Sequence, residues 1–334
     1  MTKGQSRFEY YLHQLEELIR DAKLSPDAAA HLYTNDARTL CFMLESLSRL
    51  YAELHNKKRF RKMKSHFKQL EDALGDIDHY DAYLKAWQDF PNFPPSVHDY
   101  FQQKYSEALQ QLNDILLNEY WLSESDNRIE KFRKKLASAK WLSPKKEMKA
   151  VLKFYQQEIN EVEEFYASTN GSFTQLEEEV HELRRNLRWL SIYAKSMQGA
   201  IQLSNRPVSD LSLEPYLTEE TIHSPHASLP APGNNNQILL LEKKYFLALI
   251  WMIDALGKLK DEGLKIQALA EALRATSQQT DAPQATATAL QLLGKEPNAE
   301  QIILTHADQI CGDYFKQKML SKMLKGITEK KNSR

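Results

Sequence analysis

Residues 180–197 read Val-His-Glu-Leu-Arg-Arg-Asn-Leu-Arg-Trp-Leu-Ser-Ile-Tyr-Ala-Lys-Ser-Met and have the rhythm of an amphipathic helix. Apolar residues recur there at steps of three and four, which predicts one buried stripe. His181, Arg184 and Arg188 follow at i, i+3 and i+7, so they share a neighbouring face. Two guanidinium groups and an imidazole along about 10 Å of helix suit an anion with repeated charges, although a solvated basic face with a chance histidine explains the same spacing.

The composition of the whole chain favours an all-α protein. Among 334 residues, 42% are hydrophobic and 27% charged, with only 10 Gly and 12 Pro to form turns. This length suggests about two domains. The formal net charge is −1, so no global field draws the protein onto nucleic acid or membrane. Any polyanion site must therefore be a local patch.

Cysteine content and apolar runs bear on the cellular environment. Cys41 and Cys311 are too few for a disulfide framework, which is typical of a reducing compartment. The N-terminus has no apolar signal core, and the longest apolar run, 245–253, is too short to span a bilayer. We therefore expect a cytoplasmic protein without a membrane partner.

Amphipathic periodicity predicts helices along most of the chain. They cover 8–22, 25–54, 55–90, 97–117, 127–136 and 145–166, then the helix of His181, and helix resumes at Ile238, with a frayed tail from Lys330 to Arg334. Residues 55–68 are the densest basic segment, with seven Lys or Arg, two His and no acid. Phe60 and Phe67 fall on its apolar side, so we expect a helix that is basic on its outer face.

The stretch 204–237 has a different composition. Five prolines lie there among Ser, Asn, Thr and Gly, without a sustained period. Such a composition offers little apolar burial to offset the entropy of ordering the backbone. We expect a long, mobile or loosely packed loop, the least ordered internal segment of the chain.

Internal similarity indicates two related halves. Asp72-Ala-Leu-Gly75 recurs as Asp254-Ala-Leu-Gly257, a shift of 182, whereas Asn35-Asp-Ala-Arg38 aligns with His181-Glu-Leu-Arg184, a shift of 146. The difference of 36 is close to the 34 residues of the loop at 204–237. We therefore predict halves at 1–144 and 145–334, the second interrupted by that loop.

These motifs resemble the CHAD family, the conserved histidine α-helical domain, over about residues 5 to 320. His181, Arg184 and Arg188 match its His-x-x-Arg-x-x-x-Arg/Lys helix. The basic run 57–68 leading into the Leu-Gly turn at Gly75 matches its next element. The resemblance implies two four-helix-bundle-like halves related by a pseudo-two-fold axis, with a basic surface between them that binds inorganic polyphosphate.

The resemblance also implies a set of binding residues that converge at the axis. They are His181, Arg184, Arg188, Arg38, Lys57, Lys58, Arg59, Arg61, Lys64 and Lys68. The first half departs from the family pattern, because Asn35 replaces the motif histidine and Phe42 and Glu45 stand where bases are usual. We therefore expect an anion site that is one-sided, weaker or retuned.

Other functions find less support in the residues. The chain has no Gly-rich phosphate loop, nucleophile elbow or partnered cysteine, so we expect neither an enzyme nor a cofactor. His223 and His226 have plausible spacing for a metal but lie in the irregular loop, and we expect no metal site. Nucleic-acid binding is disfavoured because the basic segment lacks exposed aromatic side chains for base stacking. The main alternative to polyphosphate binding is a helical scaffold for a protein partner, with a degenerate anion site.

Overall fold

The computed structural model describes residues 2–87, 93–204, 208–277 and 281–329, and these are mostly helical, as predicted. The α-helices are α1 Lys3–Ala22, α2 Ala28–Thr34, α3 Ala37–Leu54, α4 Lys57–Trp87, α5 Pro95–Asn118, α6 Arg128–Ala137, α7 Pro144–Ser168, α8 Glu182–Ser196, α9 Glu219–Ile222, α10 Lys243–Thr276, α11 Ala282–Leu292, α12 Ala299–Lys316 and α13 Met319–Met323. A π-helical turn, Leu176–His181, leads into α8, and a 3-10 helix spans Leu211–Tyr216.

A small three-stranded sheet is the main departure from the all-α expectation. Strand β1 (Ile201–Ser204) pairs in parallel with β2 (Gln237–Glu242), and β2 pairs antiparallel with β3 (Leu324–Glu329). The prediction that helix resumes at Ile238 is wrong, because α10 begins at Lys243. A short apolar run fits a buried strand or a buried helix equally well, and β2 has a strand on each side. Only the pairing decides between the two.

One helix that was predicted to be continuous is interrupted. The single helix expected over 25–54 is two helices, α2 and α3, with a break at Asn35 and Asp36. Asp36 adopts the left-handed conformation, with φ of 54°, and ends the helical hydrogen bonding. Helix α4 ends at Trp87, and the predicted continuation to residue 90, like the predicted fraying of residues 330–334, lies outside the described residues.

The irregular, loosely packed loop was expected over 204–237, of which 205–207 lie outside the described residues. The segment from 208 to 237 contains regular structure, contrary to that expectation. It holds the 3-10 helix and α9, and it buries the side chains of Leu213 and Tyr216. Asp210 anchors it, since this carboxylate accepts hydrogen bonds from the Ser212 hydroxyl, the Tyr245 hydroxyl at 2.7 Å and Lys322 Nζ at 3.1 Å. Those hydrogen bonds hold the pKa of Asp210 well below its usual range. The sequence of this segment shows no sustained apolar period. The burial of Leu213 and Tyr216 and the hydrogen bonds of Asp210 order it instead.

The chain divides into two compact units. Unit 1 comprises Met1–Trp141 with Lys265–Pro297, and unit 2 comprises Leu142–Leu264 with Asn298–Arg334. The first division lies close to the expected boundary at 144, whereas the segment 265–297 groups with the first unit. The division therefore also falls inside α10.

Each unit has its own core. In unit 1 the rings of Phe8 and Phe60 stack with centroids 5.7 Å apart, under an edge-on contact between Tyr51 and Trp141 at 5.2 Å. In unit 2 the apolar stripe of the π-turn and α8 is buried throughout: Val180, Leu183, Leu187, Leu190 and Ala194. Each such leucine contributes about 2 kcal/mol of burial free energy. The basic side chains of α8 flank this stripe.

Candidate anion-binding surfaces

Three basic side chains follow one face of α8 in unit 2. Arg184, Arg188 and Lys195 are at i, i+4 and i+11, a spacing that keeps them on one side over about 16 Å of helix. His226 joins them from the segment after α9, with its Nδ1 atom 3.0 Å from Lys195 Nζ. We call these four residues the α8 surface.

Like charges act on one another within the α8 surface. Burial and then the nearby Arg188 guanidinium lower the pKa of Lys195. Burial, Lys195 and Arg188 lower the pKa of His226, against an opposing effect from Asp254. An ammonium group can donate to Nδ1 only when that nitrogen carries no proton, so the contact itself indicates neutral His226. An anion placed here would relieve the repulsion between these groups.

Arg184 and His181 also have local structural roles. The Arg184 side chain lies against Gly257, where an added Cβ would come within 3.0 Å of its Nε, and this Nε donates to the carbonyl of Ile253 at 3.1 Å. His181 Nδ1 lies 2.8 Å from Glu177 Oε1, and this hydrogen bond lowers the pKa of Glu177. Within the predicted triad of His181, Arg184 and Arg188, His181 therefore lies beside the Glu177 carboxylate. Arg184 lies against the backbone of α10.

Arg38, the arginine of unit 1 that the sequence alignment pairs with Arg184, is held by acids. Arg38 lies against Gly75, but its Nε donates to Glu71 at 2.9 Å and its Nη1 donates to Asp78 at 2.9 Å. Its guanidinium also lies 5.5 Å from the centroid of the Phe42 ring. Most of its charge-assisted hydrogen bonding is thus directed inside the protein.

The cations of the basic helix α4 lie on two sides of the helix, which differ in the partners they offer. On the side towards α3, Lys57 and Arg61 pair with Glu53, Lys68 pairs with Asp72, and burial and then Arg49 lower the pKa of Lys64. On the other side Lys58 is exposed, and Arg59 donates to the carbonyl of Lys135 at 2.9 Å.

Phe60 and Phe67 are fully buried, as predicted from their position on the apolar side of this helix. The basic helix thus offers no stacking surface from either ring.

Other chemistry finds little support in the described part of the chain. His223 pairs with Glu219 at 3.2 Å, while His226 contacts Lys195, so the two histidines do not act as a ligand pair. Across the described ranges, no group of three or more His, Cys, Asp or Glu residues could hold a metal ion. Cys41 and Cys311 are free and buried, and burial raises the pKa of both thiols.

The predicted site residues fall into two groups. Seven lie in unit 1, on α3 and α4, and three lie in unit 2, at the end of the π-turn and on α8. Sequence reasoning missed Lys195 and His226. Lys195 continues the arginine spacing and was within reach of the periodicity argument, whereas His226 comes from a segment whose path the sequence did not predict.

Comparison with known proteins gives no further assignment. No family model matches the chain, and no curated protein matches it in sequence. Among the described helices, none is both long and apolar enough to cross a membrane. The functional argument therefore rests on the side chains of each unit.

Proposed function

We propose that the protein binds inorganic polyphosphate, or a similar linear polyanion, along the α8 surface without catalysing a reaction on it. The observation that carries this proposal is the row of Arg184, Arg188 and Lys195, extended by His226, in which burial and like charge depress the pKa values of Lys195 and His226. A linear anion with a charge on each repeat matches such a row better than a single carboxylate does. The resemblance to the CHAD family supports the same ligand.

The proposed relationship between the halves explains why the second half would carry the site. The two alignment shifts pair Glu45 with Ser191, Glu71 with Ile253 and Asp78 with Lys260. They also pair Arg38, Phe42 and Arg49 with Arg184, Arg188 and Lys195, respectively. Over these six positions the first half has a formal charge of −1 and the second half +4. If the halves are copies related by a pseudo-two-fold axis, as we propose, the first copy has acids where the second has neutral or basic residues.

The arrangement around Arg38 also favours the alternative of a scaffold with a degenerate anion site. Arg38 is engaged by Glu71 and Asp78, and Arg49 donates to Glu45 at 2.9 Å, so these cations stabilise unit 1 internally. If the protein is such a scaffold, neither half binds polyphosphate. Polyphosphate binding by the α8 surface therefore distinguishes the binding function from the scaffold.

The test measures long-chain polyphosphate binding by wild type and by the double variant Arg188→Ala/Lys195→Ala. This pair avoids Arg184, whose contacts with Gly257 and Ile253 give it a structural role. Three permanent cations predict a log–log salt slope of about −2, so wild-type affinity should fall about 100-fold for a tenfold rise in salt. The double variant should bind at least about tenfold more weakly.

The matched control is Lys145→Ala/Lys149→Ala, which removes the same charge from exposed positions on α7. It should bind within about twofold of wild type, since only long-range charge changes. Equal loss in both double variants would indicate a nonspecific charge effect, and the absence of wild-type binding at low salt would favour the scaffold. Binding should tighten from pH 7.5 to 5.5, because a bound anion favours protonated His226.

A further inference from the structure

A second basic cluster lies in unit 1, where α4 and α6 pack together. The helices are joined by Phe67 and Phe132, whose ring centroids are 4.8 Å apart, and by Arg128 Nη1, which lies 3.3 Å from His66 Nε2. Beside this apolar contact, Arg59 Nη1 donates to the carbonyl of Lys135 at 2.9 Å. We call Arg59, Lys62 and Lys135 the α4–α6 seam.

The seam differs from its surroundings in having no acidic partner. Among the described residues, none of Arg59, Lys62 and Lys135 forms an ion pair with a carboxylate. Neighbouring cations on the same helices do form such pairs: Lys57 and Arg61 with Glu53, Lys68 with Asp72, Lys131 and Lys134 with Asp126, and Arg128 with Glu119. The seam therefore groups three cations without a carboxylate partner, within the described part of the chain, at a place where several neighbouring cations have one.

The charges that act most strongly on Lys135 are positive. Burial lowers the pKa of its ammonium group first, followed by Lys62, Arg128, Arg59 and Lys131. Its Nζ also lies 6.0 Å from the centroid of the Phe132 ring, so part of the side chain is held over an apolar surface. A partly desolvated cation among cations gains more from a bound anion than an exposed lysine does.

We propose that the α4–α6 seam is a separate binding site for a compact phosphate-bearing anion such as pyrophosphate. The hydrogen bond from Arg59 to the carbonyl of Lys135 joins α4 to α6 at this place. Arg59 and Lys62 are three residues apart, or about 4.5 Å along α4. That length accommodates a small anion, with a guanidinium fork and two ammonium groups to receive its oxygens.

The test is calorimetric titration of the full chain with pyrophosphate at low salt. The seam variant is Lys62→Gln/Lys135→Gln. Its control, Lys145→Gln/Lys149→Gln, removes equal charge from exposed positions on α7. The seam variant should lose at least about tenfold in affinity, whereas the control should stay within about twofold of wild type. Equal affinities in the seam variant and wild type would overturn the proposal.

The outcome is separable from that of the polyphosphate proposal. Arg188→Ala/Lys195→Ala should keep wild-type affinity for pyrophosphate, and the seam variant should keep long-chain polyphosphate binding at the α8 surface. Loss of pyrophosphate binding in the α8 variant alone would refute the seam and leave the α8 surface standing.

A second measurement avoids any dependence on folding of the variants. In reductively methylated wild-type protein, whose lysines keep their charge, pyrophosphate should shift the NMR signals of Lys62 and Lys135 before that of Lys58. A uniform shift of all lysine signals would contradict a defined site.

Discussion

His66 provides a sharp test of the electrostatics of unit 1. Its side chain is only 12% exposed and lies between Arg128 and Glu119. Because a guanidinium can only donate, His66 Nε2 accepts from Arg128 at 3.3 Å, and the remaining Nδ1 proton faces Glu119 Oε2 at 3.3 Å. Protonation of Nε2 would place an N–H against the guanidinium. Burial and then Arg128 accordingly lower the pKa of His66 to about 4.

The magnitude follows from the difference between folded and unfolded pKa values. A fall from the ordinary value of 6.5 to about 4 corresponds to at most about 3.5 kcal/mol, at about 1.4 kcal/mol for each unit of pKa. Above pH 6.5 the imidazole is neutral in both states, so the full stability is present. Between pH 6.5 and 4 only the unfolded chain takes up the proton, and the free energy of unfolding falls by that amount. Below pH 4 the histidine contributes no further change.

The assay compares urea unfolding of wild type and His66→Gln from pH 3.5 to 8. Glutamine offers an acceptor to Arg128 and a donor to Glu119 but does not titrate, so subtracting the two curves removes the other ionisable groups. Wild type should lose about 3 kcal/mol relative to the variant as the pH falls from 6.5 to 4. His13→Gln, at a side chain that is 63% exposed, is the control for removing a histidine at the surface.

An NMR titration measures the same quantity directly. The His66 imidazole signals should move with a midpoint near pH 4. A midpoint near 6.5, or a stability difference that does not change with pH, would refute the argument that burial and Arg128 keep this ring neutral.

Three further perturbations test packing and anchoring. Gly4→Ala should lower the free energy of unfolding by about 1–3 kcal/mol in urea titrations, because the new Cβ would overlap the ring of Trp141. A stability equal to wild type would show that the ring moves freely. Cys41 and Cys311 should resist alkylation in the native protein at pH 8 and react on unfolding, since burial raises the pKa of both thiols. Mass spectrometry measures the labelling. Rapid labelling of the native protein would contradict this expectation. Asp210→Asn should weaken the anchor of the segment 208–237, at a cost of about 2 kcal/mol, and speed its amide exchange, whereas unchanged exchange would show that apolar burial alone holds the segment.

The helices were the part of the structure that the sequence determined most fully. Helical periodicity is local, since residues three and four apart share a face wherever the helix packs. The buried stripe of α8 and the burial of Phe60 and Phe67 therefore followed from spacing alone. The helices predicted from 97 and 145 begin at Pro95 and Pro144, because the fixed backbone angle of proline suits the first turn of a helix.

Tertiary structure decided the elements whose partners are distant in sequence. The run at 238–242 became a strand because it pairs with β1, 38 residues earlier in the chain, and with β3 near the end of the chain, and no local pattern contains that information. The segment 208–237 acquired structure through Tyr245 and Lys322, which lie outside it.

The charged sites show the same division. Spacing placed Arg38, Arg184 and the basic helix on exposed faces, but a spacing rule cannot say which carboxylate lies opposite. Folding set Glu71 and Asp78 against Arg38, brought His226 to Lys195, and left Lys135 among cations. Electrostatic interaction depends on distance and burial rather than on sequence separation. The partners of each basic side chain were therefore decided only when the helices packed.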